Sequence, residues 1–219
     1  MDSLDRIKEE MCLVGKLLYD RGYVVSNDGN ISVRVAENEV LITPSGVSKG
    51  RMTTDMMVRT DLEGNVLEGN RYPSSESKMH LRVFCARPDV MGVVHAHPPI
   101  STAFAVARRP LTERYLAEMV IGLGEVPVTD FAMPSTDEVP DSIVPFIADH
   151  SALLLANHGA LAWGPSLWAA FDRLEVVEQT AKIHLYVSQL GGGTEIDPQQ
   201  AEQLRSMSGF YQKLAGGRP

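Results

Sequence analysis

The chain is poor in cysteine, has no excess of basic residues and contains no long apolar run. Cys12 and Cys85 are the only cysteines in 219 residues, they lie far apart on segments with helical patterning, and neither belongs to a Cys-x-x-Cys pair. That leaves no disulfide framework and reads as two buried free thiols in a reducing cytosol. Lys and Arg number 20 against 28 Asp and Glu, a net charge of −8, which is the wrong sign for a nucleic-acid footprint. An anionic ligand must therefore be held locally, by a metal and by hydrogen-bond donors. No apolar stretch approaches the roughly 20 residues that a membrane helix needs, and the first ten residues are charged where a signal peptide would be apolar. The expectation is a soluble cytoplasmic protein with neither a nucleic-acid nor a membrane partner. With 44% hydrophobic residues the chain can bury a substantial core, and with no internal repeat or linker, residues 1–219 read as one α/β domain.

What is present starts with an amphipathic pattern over 3–19, apolar at Leu4, Ile7, Met11, Val14, Leu17 and Leu18, with Ser3 placed to cap it. Turn residues follow at Ser26-Asn27-Asp28-Gly29-Asn30, and then two short strands around 31–35 and 39–42. A strand over 57–61 and a helix from Ser74 or Ser75 to about 87 come next, with Glu76 in the first turn. Residues 90–96 form a buried-strand pattern stopped by Pro98-Pro99, and a helix runs over about 100–107. Further strands are expected over 126–128 and 152–156, separated by a helix over 136–149 with Pro140 and Pro145 near its first turns. Long helices over 165–190 and 198–214 complete the pattern.

Residues two apart in a strand point to one side, so His95 and His97 can aim both imidazoles at one point beyond the sheet edge. His158 follows an apolar run and precedes Gly159, which permits a backbone arrangement that a Cβ would obstruct. With Glu76 these residues make a candidate open metal site, against the plain alternatives of turn, cap and packing residues. Glu76 and His80, four apart on one helical face, are an alternative local pair, and His80 ranks below the others as a surface or packing residue. His150 and His184 lack a partner pattern and read as structural. Three loops rich in small polar residues, Asn27 to Asn30, Ser45-Gly46 and Ser74-Ser75, can offer amides and hydroxyls to phosphate oxygens.

In this order, Gly29-Asn30, Leu41-Ile42-Thr43-Pro44-Ser45-Gly46, Pro73-Ser74-Ser75-Glu76, Val94-His95-Ala96-His97 and Asn157-His158-Gly159 resemble the class II aldolase/adducin family, of the L-fuculose-1-phosphate aldolase type. The resemblance spans essentially the whole chain. It implies a three-layer α/β/α fold with a central, largely antiparallel sheet flanked by helices, assembled as a homotetramer with active sites at subunit interfaces. It further implies one Zn2+ per subunit, with Mn2+ or Co2+ as substitutes, on Glu76, His95, His97 and His158. Asn27, Gly29, Asn30, Ser45, Gly46, Ser74 and Ser75 then line a phosphate pocket, and Tyr115 or Glu118 from the adjoining subunit is the proton donor. Tyr211 resembles a second family tyrosine.

The reaction so implied is reversible cleavage of a ketose 1-phosphate to dihydroxyacetone phosphate and an aldehyde, with Glu76 as the base. A pentulose-phosphate 4-epimerase shares the fold but generally has aspartate where this chain has Glu76, and a sugar-phosphate dehydratase is a further relative. An adducin-like scaffold predicts loss of the metal ligands, whereas all are present; a zinc hydrolase would leave the phosphate loops without a purpose.

Overall fold

The computed structural model describes residues 3–207. Among these residues one sheet forms from β1 (Asn30–Ala36), β2 (Glu39–Ile42), β3 (Val58–Asp61), β4 (Val66–Glu68), β5 (Gly92–Ala96), β6 (Ala152–Leu155) and β7 (Gly159–Gly164). The strands lie in the order β4-β3-β2-β1-β5-β7-β6, with every neighbouring pair antiparallel. The helices are α1 (Ser3–Asp20), α2 (Ser77–Ala86), α3 (Pro99–Val106), α4 (Ala117–Gly122), α5 (Glu138–Ile147), α6 (Leu167–Gln189) and α7 (Pro198–Ser206).

The central strands are buried on both faces, and their period of two sorts side chains between two cores. Ile31, Val33, Leu41, Val94, Ala96, Leu154, Ala160 and Ala162 pack with α1, α3 and α6. Their neighbours Val40, Val93, Leu153, Leu155, Leu161 and Trp163 face the other way, against α2 and α5. The result is the α/β/α layering expected of this sequence. Buried positions at Leu167, Ala170, Phe171, Leu174, Val177 and Ala181 give α6 its long apolar stripe, and the Ser166 hydroxyl caps it by accepting from Ala169 N at 3.0 Å.

Two buried polar side chains tie the layers together. Arg34 donates to the carbonyls of Phe84 at 2.6 Å, Glu37 at 2.7 Å and Val90 at 3.2 Å, which joins β1 to the end of α2. Glu178 on α6 accepts from Ile100 N at 3.0 Å and Ser101 N at 2.7 Å, so its carboxylate satisfies the open first turn of α3.

Several expectations need correction. Residues 126–128 do not form a strand of the sheet. They make isolated bridges, Leu111 with Val126 and Val128 with Leu154, the second through backbone hydrogen bonds to a single residue of the edge strand β6, Leu154 N to the Pro127 carbonyl and Thr129 N to the Leu154 carbonyl, both at 2.9 Å. Strands β4 and β7 and the short α4 were not anticipated. Pro145 lies inside α5, beyond its first turn. Neither thiol is buried as expected: Cys85 is exposed, and Cys12, at the margin of the core under α1, is half-buried. The final helix is described as far as Ser206, so the expectation beyond it, and Tyr211, fall outside the described residues.

Candidate metal centre and active site

The sheet register brings the site together. Asn30 opens β1 directly opposite His95 near the end of β5, and His95 in turn faces Leu161 on β7, next to the β6–β7 turn that carries His158. That turn spans three residues between the paired Leu155 and Gly159, with Asn157 in the left-handed region at φ 55°, a conformation asparagine tolerates better than most residues. Gly159 is required for a different reason. A Cβ there would stand 2.5 Å from the Ala96 carbonyl oxygen and 2.5 Å from His97 Cδ2. Gly29 combines both demands, with φ 71° and a Cβ position 2.8 Å from the His95 carbonyl oxygen.

The three imidazoles converge edge to face, with ring centroids 4.7, 4.9 and 5.1 Å apart. One ligand nitrogen from each of His95, His97 and His158 lies within 4.8 Å of the others. The His95 Nδ1–H donates to the Ala160 carbonyl at 2.9 Å, which fixes the tautomer and leaves the Nε2 lone pair facing His97 Nε2 at 3.1 Å. The outer nitrogen of His97, Nδ1, lies 3.6 Å from Asp28 Oδ2, the carboxylate support that metal-bound imidazoles commonly have. Two imidazole nitrogens this close in a buried setting suit a cation between them, and a donor set of three imidazoles fits a divalent metal.

Glu76 borders this trio. Its residue precedes α2 with φ −101° and ψ 11°, and its amide donates to the Ser74 hydroxyl at 3.3 Å. The serine therefore holds the residue before the helix and does not cap the first turn, as the sequence had suggested. The Glu76 carboxylate reaches His158 Nε2 at 2.9 Å and His95 Nε2 at 3.4 Å, and accepts from Asn30 Nδ2 at 2.7 Å. Burial pushes the carboxyl pKa up, but His95, His158 and Asn30 outweigh it and hold the group well below the usual carboxylate range. Complete burial drives His95 far below the ordinary histidine value, and burial also lowers His97, so both are neutral ligands at pH 7.

The polar loops meet the same centre. Ser45 N donates to the Tyr72 carbonyl at 2.9 Å and Ser74 N to the Thr43 carbonyl at 3.1 Å, which pins the Ser45-Gly46 loop beside Ser74-Ser75. Asn27, Gly29, Asn30, Ser45, Gly46, Ser74, Ser75, Glu76, His97 and His158 all line one cavity of about 220 Å³, with Asp28, Lys49, Pro134 and Ser135. Lys49 and Asp28 were not singled out from sequence; an acidic residue in the Asn27–Asn30 turn gave some signal for Asp28, and nothing local marked Lys49. Asn30 does more than line the wall, since its amide orients Glu76.

The remaining histidines sit elsewhere. His80 is fully buried under β1, 2.6 Å from the Ser32 hydroxyl, and is neither on the helix surface nor in the ligand trio. His150 Nδ1 donates to the Glu125 carbonyl at 3.2 Å, and His184 Nδ1 lies 3.3 Å from Glu113. Tyr115 packs its ring on His184 at 5.0 Å and lines a separate cavity of about 180 Å³, while Glu118 is exposed on α4. Within the described residues of a single chain, neither lines the cavity of the three imidazoles.

With this geometry in hand, likeness to known proteins is informative. The family described as Class II Aldolase and Adducin N-terminal domain matches residues 9–185. A 3-oxo-tetronate 4-phosphate decarboxylase of Haemophilus influenzae is 35% identical over 184 residues, 80% of this chain and 85% of that protein. An L-fuculose phosphate aldolase of Methanococcus vannielii is 34% identical over 181 residues, 82% of this chain and 97% of that protein. A solved L-fuculose 1-phosphate aldolase superposes with a TM-score of 0.86 at 31% identity, covering 94% of this chain and 96% of its own.

Proposed function

The chain belongs to the class II aldolase and adducin family, and from that premise we propose that it is a zinc-dependent lyase that breaks the bond between the carbons α and β to the ketone of a sugar phosphate and releases dihydroxyacetone phosphate. The reading we favour is the aldolase reaction, in which a ketose 1-phosphate gives dihydroxyacetone phosphate and an aldehyde. The observation that carries it is the convergence of His95, His97 and His158 on one another, with His97, His158 and Glu76 lining one cavity with the Ser45-Gly46 and Ser74-Ser75 loops.

Breaking that bond leaves an electron pair on carbon, delocalised onto the former ketone as an enediolate. A divalent cation on the three imidazoles, zinc or in its place Mn2+ or Co2+, supplies Lewis acidity worth several kcal/mol to that developing charge. The chain's own residues do the rest. Ser45, Gly46, Ser74, Ser75 and Asn27 hold the phosphate and so fix where the reacting carbons lie. Glu76 is ionised at neutral pH and oriented by the Asn30 amide, ready to remove the proton of the hydroxymethyl carbon in condensation; in cleavage it first takes up a proton from solvent and then gives it to the enediolate carbon. Its basicity rises when it leaves the imidazoles, because burial alone favours the protonated form.

The aldehyde oxygen needs a separate proton partner. We assign this to Tyr115 or Glu118 of a second copy of the chain, in a homotetramer whose cavities are completed across subunit boundaries. The protein would act in the cytoplasm; among the described residues no helix is long and apolar enough to cross a membrane.

A second reading has its own support in the 35% identity to a 3-oxo-tetronate 4-phosphate decarboxylase. Loss of CO2 from such a 3-oxo acid leaves the same enediolate of dihydroxyacetone phosphate, so the two reactions share the metal site, the phosphate loops and Glu76. They differ in the leaving half, since CO2 needs no proton partner. Zinc-loaded protein is to be incubated with dihydroxyacetone phosphate and a panel of aldehydes, and separately with 3-oxo-tetronate 4-phosphates, with products identified by mass. Condensation products support the aldolase, CO2 release without condensation supports the decarboxylase, and neither would reject the lyase reading.

A further inference from the structure

Lys49 is among the largest fully buried side chains of the protein, 2% exposed, in a short 3-10 turn that follows the Ser45-Gly46 loop. Its ammonium donates to the carbonyls of Val47 at 2.5 Å and Asn27 at 3.2 Å, so it straps together the two loops that flank the cavity, which it also lines. An ammonium has three N–H donors, and these carbonyls take two. Among the described residues no carboxylate stands within ion-pair distance of it, and the nearby acids are engaged elsewhere: Glu76 with His158, His95 and Asn30, and Asp28 beside His97. A buried cation without a counter-ion is costly unless something anionic arrives to pair with it. Burial lowers its pKa to about 8, against the pull of Asp28 and Glu76, so it remains largely charged at neutral pH.

We propose that Lys49 is the cavity's counter-charge for the phosphate of the substrate, a binding residue whose remaining N–H and positive charge answer a dianion between the Asn27–Asn30 and Ser45-Gly46 loops. It rests on the sugar-phosphate reading and deepens it. The serine hydroxyls and loop amides provide directional donors but no formal charge, burial disfavours charge on His97, and Glu76 is a carboxylate. Lys49 is the only lysine or arginine in the described cavity lining. It discriminates phosphorylated from unphosphorylated ligands, and the metal does not do so by itself.

The test separates charge recognition from loop support. Glycolohydroxamate carries a metal-chelating hydroxamate as an enediolate mimic, and phosphoglycolohydroxamate esterifies its hydroxymethyl oxygen with phosphate while keeping that chelate. Both are titrated calorimetrically into the zinc-loaded parent protein and into Lys49→Met. The expected result is a loss of about 10- to 100-fold in affinity for phosphoglycolohydroxamate, as for one charged hydrogen bond, with glycolohydroxamate affinity unchanged. Equal loss for both ligands, or none for either, overturns the proposal. Should Lys49→Met fail to fold, Lys49→Gln keeps an N–H donor for the loop carbonyls without the charge and takes the same two titrations. Binding of phosphoglycolohydroxamate that ignores removal of zinc would count against the enediolate reading while leaving Lys49 in place. Undiminished binding in the variants would remove Lys49 and leave that reading standing.

Discussion

Gly159→Ala adds a single methyl group at the point where the hairpin carrying His158 crosses the end of β5. The new Cβ would stand 2.5 Å from the Ala96 carbonyl oxygen, 2.5 Å from His97 Cδ2 and 3.2 Å from His95 Cε1, where ordinary contact begins at 3.4 Å. Roughly 0.9 Å must be found at each of the two closest contacts, and a backbone carbonyl paired in the sheet cannot swing aside, so the β6–β7 turn and the His97 ring must both shift. Overpacking of this kind costs about 1–3 kcal/mol, which for a chain of this length lowers Tm by about 2–4 °C per kcal/mol. The imidazoles would move by a good fraction of a metal–nitrogen bond, and metal affinity should fall at least about tenfold. Gly122→Ala serves as the control: it lies on α4 with nothing within 4 Å of its Cβ, and should stabilise by about 0.5–1 kcal/mol. Thermal unfolding of the metal-free proteins and competition with a chromophoric chelator measure both effects. A Gly159→Ala protein with parental Tm and parental metal affinity would refute the reasoning.

Other consequences follow from buried groups. Complete burial lowers the His80 pKa to about 4, against an unfolded value near 6.5. Its contribution to stability is therefore full above pH 6.5 and is lost as pH falls toward 4, by a total on the order of 3 kcal/mol; His80→Gln should flatten the acid limb of the Tm profile of the metal-free protein, and a constant Tm offset between pH 7 and 4.5 would contradict this. Glu178→Gln replaces an acceptor oxygen with an amide facing a backbone N–H of α3, and should lower stability by about 1–3 kcal/mol in denaturant unfolding. Removing metal with a chelator should lower Tm in the parent protein, and the shift should vanish in His95→Ala, whose Nε2 is central to the trio.

The parts of the fold that were legible in sequence are those with strong local periodicity. The stripe of α1, the alternation of β1 and the long apolar face of α6 could each be read directly, and the pairing of His95 with His97 could be read because His95 lies on a strand and His97 just past its end. The failures have physical reasons. In β7, Gly159-Ala-Leu-Ala-Trp-Gly lacks β-branched residues, and its burial on both faces removes the alternation that marks a strand. All three residues of β4 are exposed, so no apolar pattern identifies it, and the six residues of α4 are too few to show a period. Lys49 escaped notice because its sequence neighbours describe a turn, while its burial is created by α1 and the Asn27 loop, which are distant along the chain.

The claim on which the rest depends is that the three imidazoles, a bound divalent metal and Glu76 together stabilise and protonate the enediolate of dihydroxyacetone phosphate. Proton exchange tests it without any aldehyde or acid substrate. Zinc-loaded protein is mixed with dihydroxyacetone phosphate in D2O and the hydroxymethyl carbon is followed by proton NMR. Exchange of one of its two hydrogens is predicted, dependent on metal and reduced about 100-fold or more in Glu76→Gln, as expected for loss of a general base. No exchange in the metal-loaded protein, or exchange at the parental rate in Glu76→Gln, would contradict it.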